Sequence, residues 1–206
     1  MKYDAIVVAG GVGKRADLGF NKVFYMMKNG KTVLENACHL FFEDEDCLKV
    51  IVVTSDEVPF CEQKLILVDG GKERYNSVLN GLNEVTSEYV LIHDGARPFL
   101  NKTDLENVKK TLEGKDGVLL AKKATDTIKY VEDGVIKKTI DRNFIYQALT
   151  PQAFRTDVIK EAYAKVDLTN VTDDTQAVEM LGKEVLIVEG DKTNIKLTDK
   201  EDFENI

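Results

Sequence analysis

The sequence predicts an α/β fold with an open, mostly parallel, Rossmann-like sheet, helices on both faces and one projecting β-hairpin arm. Two observations carry this prediction. Short apolar runs alternate with segments of helical periodicity, and the runs are apolar throughout, as in strands buried on both faces. A length of 206 residues suits one domain, with neither a linker nor a repeat. We therefore expect a single domain over residues 1–206, with 124–147 as the arm.

Strands and helices alternate through the first half of the chain. Apolar runs predict buried strands, and apolar residues recurring every three or four positions predict helices. In chain order these are strand 5–9, helix 31–42, strands 49–55 and 64–71, a helix carrying Val78, Leu79 and Leu82, and strand 89–99. Thr32 with Glu35 forms a capping box at the start of the first helix. Thr103 with Glu106 forms another, which opens a helix to about Leu112.

The second half contains the arm and then returns to the sheet. After strand 117–123, residues 127–140 alternate apolar and polar around Asp133-Gly134, a strong hairpin signal. This segment has little apolar content for a core element, so we expect it to project as an arm. Beyond it the pattern predicts helices at 156–165 and 173–181, the second ended by Gly182, strands at 184–190 and 194–198, and a last helix capped by Thr198 with Glu201.

Composition and charge exclude several classes of function. The formal net charge of −8 argues against binding to nucleic acid, which needs a basic surface. No apolar run approaches the ~20 residues that span a membrane, and the N-terminus lacks a signal-peptide pattern. We therefore expect a cytoplasmic protein with no membrane partner. Three cysteines without C-x-x-C spacing predict free thiols, with Cys38 buried on a helix face.

The stretch VVAGGVGKR at 7–15 follows the first strand and is typical of a loop that holds phosphate. A Walker A loop would read G-x-x-x-x-G-K-[ST]. Here Val8 stands where the first glycine should be, and Arg15 follows Lys14 where a hydroxyl should be. The sequence therefore excludes a Walker A loop.

Gly11, Gly13 and Ala16 satisfy the dinucleotide fingerprint G-x-G-x-x-G/A, which leaves an NAD(P)-dependent oxidoreductase as an alternative function. That unit also needs an acidic residue at the end of its second strand, about 20 residues further on. In this chain that position falls within a predicted helix, and the second strand ends only near Ser55. The dinucleotide interpretation is therefore disfavoured.

Arg15 and Lys22 indicate a third kind of loop, the nucleotidyltransferase kind, which binds a nucleoside triphosphate. They are seven residues apart and would reach one triphosphate if the segment between them curls around it. The pattern G-x-G-x-R followed by this lysine resembles the signature of the cytidylyltransferases that act on phosphorylated polyols. Further segments resemble motifs of that family in order, namely 68–82, 92–99, 140–154, 171–179 and 194–198.

The resemblance implies transfer of CMP from CTP to a polyol phosphate, with release of pyrophosphate. Gly95 and Ala96 favour the branch that uses a methylerythritol phosphate in non-mevalonate isoprenoid synthesis, because the ribitol 5-phosphate branch tends to carry serine and valine there. Gly10, where the first branch usually has alanine, and Val23, in place of glutamine, keep ribitol 5-phosphate as an alternative. A non-catalytic nucleotide-binding regulator is a third alternative, but such a protein would not need Arg15, Lys22, Arg142 and Lys196 together.

The resemblance also assigns roles to residues. Four cations are assigned catalytic roles, in which they stabilise the charge of the triphosphate and hold the attacking phosphate. They are Arg15, Lys22, Arg142 and Lys196. Substrate binding falls to Ala9, Gly10, Gly11, Gly13, Gly71, Arg74, Ser77, Asp94, Gly95, Arg97, Thr127, Thr150 and Thr172. Magnesium is expected between the phosphates, which with water would supply most of its shell, so no metal-binding residue is predicted.

The expected reaction also bears on the histidines and on the oligomeric state. An attacking phosphate needs no general base, because its second pKa of about 6 leaves it mostly dianionic at neutral pH. The histidines, His39 and His93, are accordingly predicted to be structural. In the family that the chain resembles, the arm reaches a second subunit, so we expect a homodimer in which Arg142 completes the partner's site.

Overall fold

A central β-sheet organises the fold. In the computed structural model, which describes residues 1–11, 19–204 and 206, seven strands form this sheet and two more form a separate hairpin. The sheet strands are β1 Tyr3–Val8, β2 Cys47–Val53, β3 Leu65–Val68, β4 Tyr89–Asp94, β5 Gly117–Lys123, β8 Tyr146–Arg155 and β9 Val185–Glu189, and the hairpin strands are β6 Ile128–Glu132 and β7 Val135–Ile140. The helices are α1 Val33–Glu43, α2 Arg74–Glu84, α3 Lys102–Leu112, α4 Thr156–Lys165 and α5 Asp174–Met180.

The strand order is β3-β2-β1-β4-β8-β5-β9, and it confirms the predicted mostly parallel sheet. Adjacent pairs are parallel except where β8 runs antiparallel between β4 and β5. From β1 the chain moves outward through β2 and β3, then returns to place β4 on the other side of β1. Such a reversal opens a crevice at the carboxyl ends of the two strands, where α/β proteins bind ligands. Val8 and Asp94 pair at that end.

Helices cover both faces of the sheet, as predicted. Side chains of β1 alternate between the two cores, with Ala5 and Val7 on one side and Ile6 on the other. Helices α1 and α3 pack on the first side, and α2, α4 and α5 on the second. The capping box of Thr32 and Glu35 at the start of α1 is confirmed.

Two strand predictions are wrong, and one strand was missed. The run 64–71 was expected to be a buried strand, but β3 is an edge strand with Ile66 and Leu67 exposed. Residues 194–198 form no strand; the Leu197 N–H donates to the Ala96 carbonyl at 2.9 Å, but no ladder follows. Strand β8 was not predicted at all.

Helix α3 begins two residues earlier than its predicted capping box implies. Thr103 and Glu106 lie within the helix. Asn101 is the N-cap, and its side-chain oxygen accepts from the Asp104 N–H at 2.8 Å. The predicted box is therefore wrong, because an amide two residues upstream satisfies the free backbone donors first.

The last helix is also capped differently from the prediction. It is a short 3₁₀ helix, Lys200–Phe203, whose capping box is formed by Asp199 and Asp202. The prediction with Thr198 and Glu201 is wrong by one residue, because the Asp202 carboxylate accepts from both backbone N–H groups at 198 and 199.

The β6–β7 hairpin confirms the arm at the level of local structure. Asp133 and Gly134 have φ values of 51° and 75°, the left-handed conformations that a two-residue hairpin turn requires. The three cysteines, all within the described residues, form no disulfide, and Cys38 is buried as expected. In the described part of the chain no helix has the length and apolar content to cross a membrane.

Candidate functional site

Several of the site residues predicted from the sequence lie at the carboxyl ends of β1 and β4. Ala9 continues β1, and its N–H donates to the Val53 carbonyl of β2 at 2.9 Å. Gly10 and Gly11 follow it at the surface. Gly13 and Arg15 lie outside the described residues, so their predicted roles rest on the sequence alone.

Glycines allow the start of α2 to approach the loop after β1. A Cβ at Gly10 would lie 3.8 Å from the Gly70 Cα and 3.8 Å from the Ser77 Oγ, which is ordinary contact. The Gly71 N–H donates to the Ser77 Oγ at 2.9 Å. A Cβ at Gly71 would lie only 2.3 Å from the Cβ of Asn76. Of these glycines, Gly71 is therefore the one that the local packing requires.

Lys22 begins a 3₁₀ helix, Lys22–Phe24, beside the same loop. The preceding Asn21 anchors this helix, because its amide donates to the Ala9 carbonyl and to the Asp56 carboxylate, each at 2.8 Å. Sequence reasoning missed Asn21, although its position next to the predicted lysine and its N-cap chemistry could have indicated it.

Three cations surround one carboxylate at the end of β4. Lys196 Nζ lies 2.8 Å from the Asp94 carboxylate, Arg74 Nε 3.4 Å and Arg97 Nε 3.8 Å. Burial by itself would raise the pKa of Asp94, but Arg74, Lys196 and Arg97 together hold the pKa well below its usual range. The Asp94 carboxylate is therefore ionised and paired with cations. It holds these cations in place and does not accept a proton.

A second carboxylate orients Arg74. Its two terminal nitrogens each donate to one oxygen of Asp174 at 2.8 Å, a bidentate pair. Asp174 is fully buried and also accepts from the Tyr163 hydroxyl at 2.6 Å. Burial would lower the pKa of Arg74, but Asp174 outweighs it and raises the pKa. The sequence prediction covered the segment containing Asp174 but selected Thr172, whose hydroxyl donates to the side-chain oxygen of Gln176 at 3.0 Å.

The turn after Asp94 is held closely against β1. The Gly95 N–H donates to the Val8 carbonyl at 2.9 Å, and a Cβ at Gly95 would lie 3.1 Å from both that oxygen and Leu34 Cδ1. The Asp94 N–H donates to the Thr150 hydroxyl at 3.1 Å. The hydroxyl of Thr150 is therefore used inside the protein, and its role as a substrate ligand stays a prediction.

Two predicted residues lie on the arm. Thr127 and Arg142 are exposed, and the Arg142 guanidinium donates to the Thr125 carbonyl within the arm. Across residues 1–11, 19–204 and 206, no hydrogen bond or ion pair joins either residue to the cluster around Asp94. Within one chain the fold thus assembles Arg74, Asp94, Arg97 and Lys196, and leaves Thr127 and Arg142 on the arm.

The fold and this cluster define an α/β enzyme of the nucleotidyltransferase class, with cations gathered at the switch point of a mostly parallel sheet. Comparison with known families makes the assignment specific. The chain belongs to the IspD family, 2-C-methyl-D-erythritol 4-phosphate cytidylyltransferase, whose model matches residues 3–205.

Similar proteins cover nearly the whole chain. Curated proteins of that name from Geobacter metallireducens and Geobacillus kaustophilus are each 39% identical to it, over 98% of this chain and 95% and 94% of their own lengths. The crystal structure of the Francisella tularensis enzyme of that name has a TM-score of 0.85 at 30% identity, covering 99% of this chain and 97% of that one. The Thermus thermophilus structure has a TM-score of 0.83 at 28% identity, covering 98% and 96%.

Proposed function

We propose that this chain transfers CMP from CTP to 2-C-methyl-D-erythritol 4-phosphate and releases pyrophosphate, a step of isoprenoid precursor synthesis. One observation carries the proposal: in a chain of this family, Arg74, Arg97 and Lys196 converge on Asp94 at the switch point of the sheet. These three cations and the carboxylates Asp94 and Asp174 leave one net positive charge in a protein whose formal net charge is −8. A phosphorylated substrate matches that local surplus.

The chemistry needs positioning and cations more than proton transfer. An oxygen of the polyol phosphate bonds to the α-phosphorus of CTP, and the bond from that phosphorus to the β-phosphate oxygen breaks. Pyrophosphate leaves with the electron pair, so no proton has to be removed from the nucleophile. The obstacle is the repulsion of two polyanions, which preorganised cations lower.

The roles of the residues follow from the resemblance and from where each one lies. We infer that Arg15 and Lys22 hold the triphosphate and stabilise charge at the α-phosphorus. Lys196 holds the attacking phosphate together with Arg142. Asp94 binds a hydroxyl of the polyol or of the ribose, and Arg97 lies near the polyol phosphate. The remaining predicted residues bind the substrates: Ala9, Gly10, Gly11, Gly13, Gly71, Arg74, Ser77, Gly95, Thr127, Thr150 and Thr172. The support is that Asn21 places Lys22 beside Ala9, while Lys196 lies 2.8 Å from Asp94.

Magnesium is part of the proposal. Among the described residues no group of three or more His, Cys, Asp or Glu side chains is arranged to hold a metal ion. The carboxylate of Asp94, at the centre of the cation cluster, is already paired with cations. A divalent ion would therefore take its oxygen ligands mainly from the CTP phosphates and water, where it would neutralise charge on the phosphates.

We also propose a homodimer built through the arm. A two-stranded hairpin is marginal by itself, yet this one exposes large apolar side chains to the surroundings. These are Tyr130, Val131, Val135, Ile136 and Phe144, the last 81% exposed. A second copy covering them would bring Arg142 to the partner's site. Cytoplasmic location stays a prediction.

Pyrophosphate release with two candidate acceptors tests the function. The protein is incubated with CTP, Mg²⁺ and either 2-C-methyl-D-erythritol 4-phosphate or ribitol 5-phosphate. We expect release with the first acceptor and far less with the second, since the similar proteins bear the name of the first. Faster release with ribitol 5-phosphate would overturn the choice of polyol, and no release with either would overturn the proposed function.

A further inference from the structure

Four buried residues form a closed ring of hydrogen bonds directly behind the cation cluster. They are His93, Arg97, Thr150 and Asn194. The Thr150 hydroxyl and the His93 Nδ1 are 2.9 Å apart, and the His93 Nε2 and the Arg97 carbonyl are 3.0 Å apart. Arg97 Nη1 donates to the Asn194 carbonyl at 2.8 Å, and Asn194 Nδ2 donates to the Thr150 carbonyl at 2.9 Å. Each residue thus contacts two others of the ring.

The ring has one consistent direction of donation. The Arg97 carbonyl can only accept, so in a neutral imidazole His93 Nε2 carries the hydrogen and Nδ1 accepts. The Thr150 hydroxyl then donates to Nδ1 and accepts from the Asp94 N–H. Every one of these bonds has one donor and one acceptor, so the ring needs no ionised histidine.

The ring connects three separate parts of the chain. His93 and Arg97 bracket the turn after β4, Thr150 lies in β8, and Asn194 lies in the C-terminal segment 191–198. That segment has no ladder to hold it, and its Leu197 N–H bonds to the Ala96 carbonyl at 2.9 Å. The amide of Asn194 is therefore its direct link to β8.

We infer that Asn194 is a positioning residue, which through this ring holds Lys196 and Arg97 on Asp94 without touching substrate. The inference rests on the proposed function for its kinetic consequence only. Lys196 is two residues from Asn194, and Arg97 bonds the Asn194 carbonyl, so both cations depend on where this segment lies. Lys22 lies on the separate 3₁₀ helix after the loop of β1.

The isosteric change Asn194→Asp tests this inference. It replaces the amide donor by a carboxylate oxygen that faces the Thr150 carbonyl, so the bond between them is lost. We expect the KM for the polyol phosphate to rise and its kcat/KM to fall by up to about 10²-fold, as for a small displacement of positioning groups. The KM for CTP is expected to stay unchanged.

Asn36→Asp is the matched control. The Asn36 amide donates to the Thr32 carbonyl at 2.8 Å, so the same change removes the same kind of bond in α1, away from the ring. Its KM for the polyol phosphate should equal that of the unchanged protein. If Asn194→Asp does not fold, Asn194→Ala removes the donor without adding charge and serves the same comparison.

Amide hydrogen exchange of segment 191–198 gives a readout that does not need activity. We expect the Leu197 N–H to exchange faster in Asn194→Asp than in the unchanged chain and in Asn36→Asp. Faster exchange in a chain without transferase activity would support the ring and overturn the proposed function. The positioning role would be overturned if neither the exchange nor the KM for the polyol phosphate changed. It would also be overturned if the KM values for the polyol phosphate and for CTP rose equally.

Discussion

Asp94 is the residue around which the candidate site is built. Three cations lie within 3.8 Å of its carboxylate, and its backbone N–H is bonded to Thr150. Neither Asp94 nor the buried His93 is placed to remove a proton from a phosphate that is already ionised. At this scale, function depends on which polar groups hold cations in place.

Lys22 provides the first prediction. Lys22→Ala should lower kcat by roughly 10²–10³-fold, by analogy with losing one donor that stabilises the transition state. Steady-state kinetics with CTP and the methylerythritol phosphate measure the effect, and thermal unfolding checks that the fold is retained. Lys31→Ala, at an exposed lysine nearby, should have no effect. Near-normal kcat in Lys22→Ala would contradict the assigned role.

Gly10 and Gly71 should respond differently to the same change. Gly10→Ala should fold and retain activity, because the new Cβ meets its nearest atoms at 3.8 Å. Gly71→Ala should be destabilised and lose activity, because its Cβ would lie 2.3 Å from that of Asn76. Urea unfolding and pyrophosphate release on both variants provide the comparison. A Gly10→Ala variant that loses CTP binding would mean that this loop needs its glycine for the ligand.

The buried His93 predicts a dependence of stability on pH. Burial lowers its pKa to about 4, whereas the unfolded chain titrates near 6.5. As the pH falls through 6.5 the unfolded state binds a proton that the native state does not, so the free energy of unfolding decreases by about 2 kcal/mol between pH 7 and 5. Urea unfolding across this range should show the decrease.

Variants of the two histidines separate this contribution from that of other groups. His93→Gln should flatten the decrease, while His39→Gln, at a partly exposed helix position, should not. An equal slope in the unchanged chain and in His93→Gln would mean that other groups cause it.

At the scale of elements, strand β8 shows why the local sequence pattern did not predict every strand of the sheet. The strand contains Pro151, and proline is unusual in a central strand because it cannot donate to a ladder. In the structure the last β4–β8 pair is Ile92 with Gln152, and the β5–β8 register shifts between Leu119 and Ala121. Proline therefore sits where both ladders are interrupted, a position that only the neighbouring strands define.

Helix α3 offers a stability test at the same scale. Asn101→Ala should lower the free energy of unfolding by about 1 kcal/mol, because it removes the side chain that caps the helix. Thr103→Ala, at the residue of the wrongly predicted box, should change it by less than about 0.5 kcal/mol. Urea unfolding at pH 7 distinguishes the two variants. A larger loss of unfolding free energy in Thr103→Ala than in Asn101→Ala would support the predicted capping box of Thr103.

At the scale of the whole molecule, the arm is a part of the described structure where one chain leaves large apolar side chains uncovered. Ile136 and Phe144 are 60% and 81% exposed on it, whereas the sheet they extend from is packed on both faces. The predicted Arg142 is on the same arm, apart from Lys196 with which it would share a phosphate. A second copy would account for both observations.

Dilution and one charge substitution test the dimer. Sedimentation should show a dimer whose dissociation on dilution lowers specific activity. Ile136→Glu should give monomers with reduced activity, because a charge would be buried at the interface. Leu67→Glu, at a similarly exposed position on the edge strand β3, should remain a dimer. A fully active monomer in the unchanged chain would contradict the proposal.

Hydrophobic periodicity and turn chemistry determined the fold class, most strand and helix positions and the hairpin turn, because these depend on neighbours along the chain. The resemblance of several motifs to a known family supplied the residues of the predicted site. Only the tertiary structure decided that Arg74, Asp94, Arg97 and Lys196 meet, that Asp174 orients Arg74, and that Asn194 holds the C-terminal segment to β8. Arg74 and Asp174 are 100 residues apart in the chain. Such pairings depend on strand order and register, which no local pattern specifies.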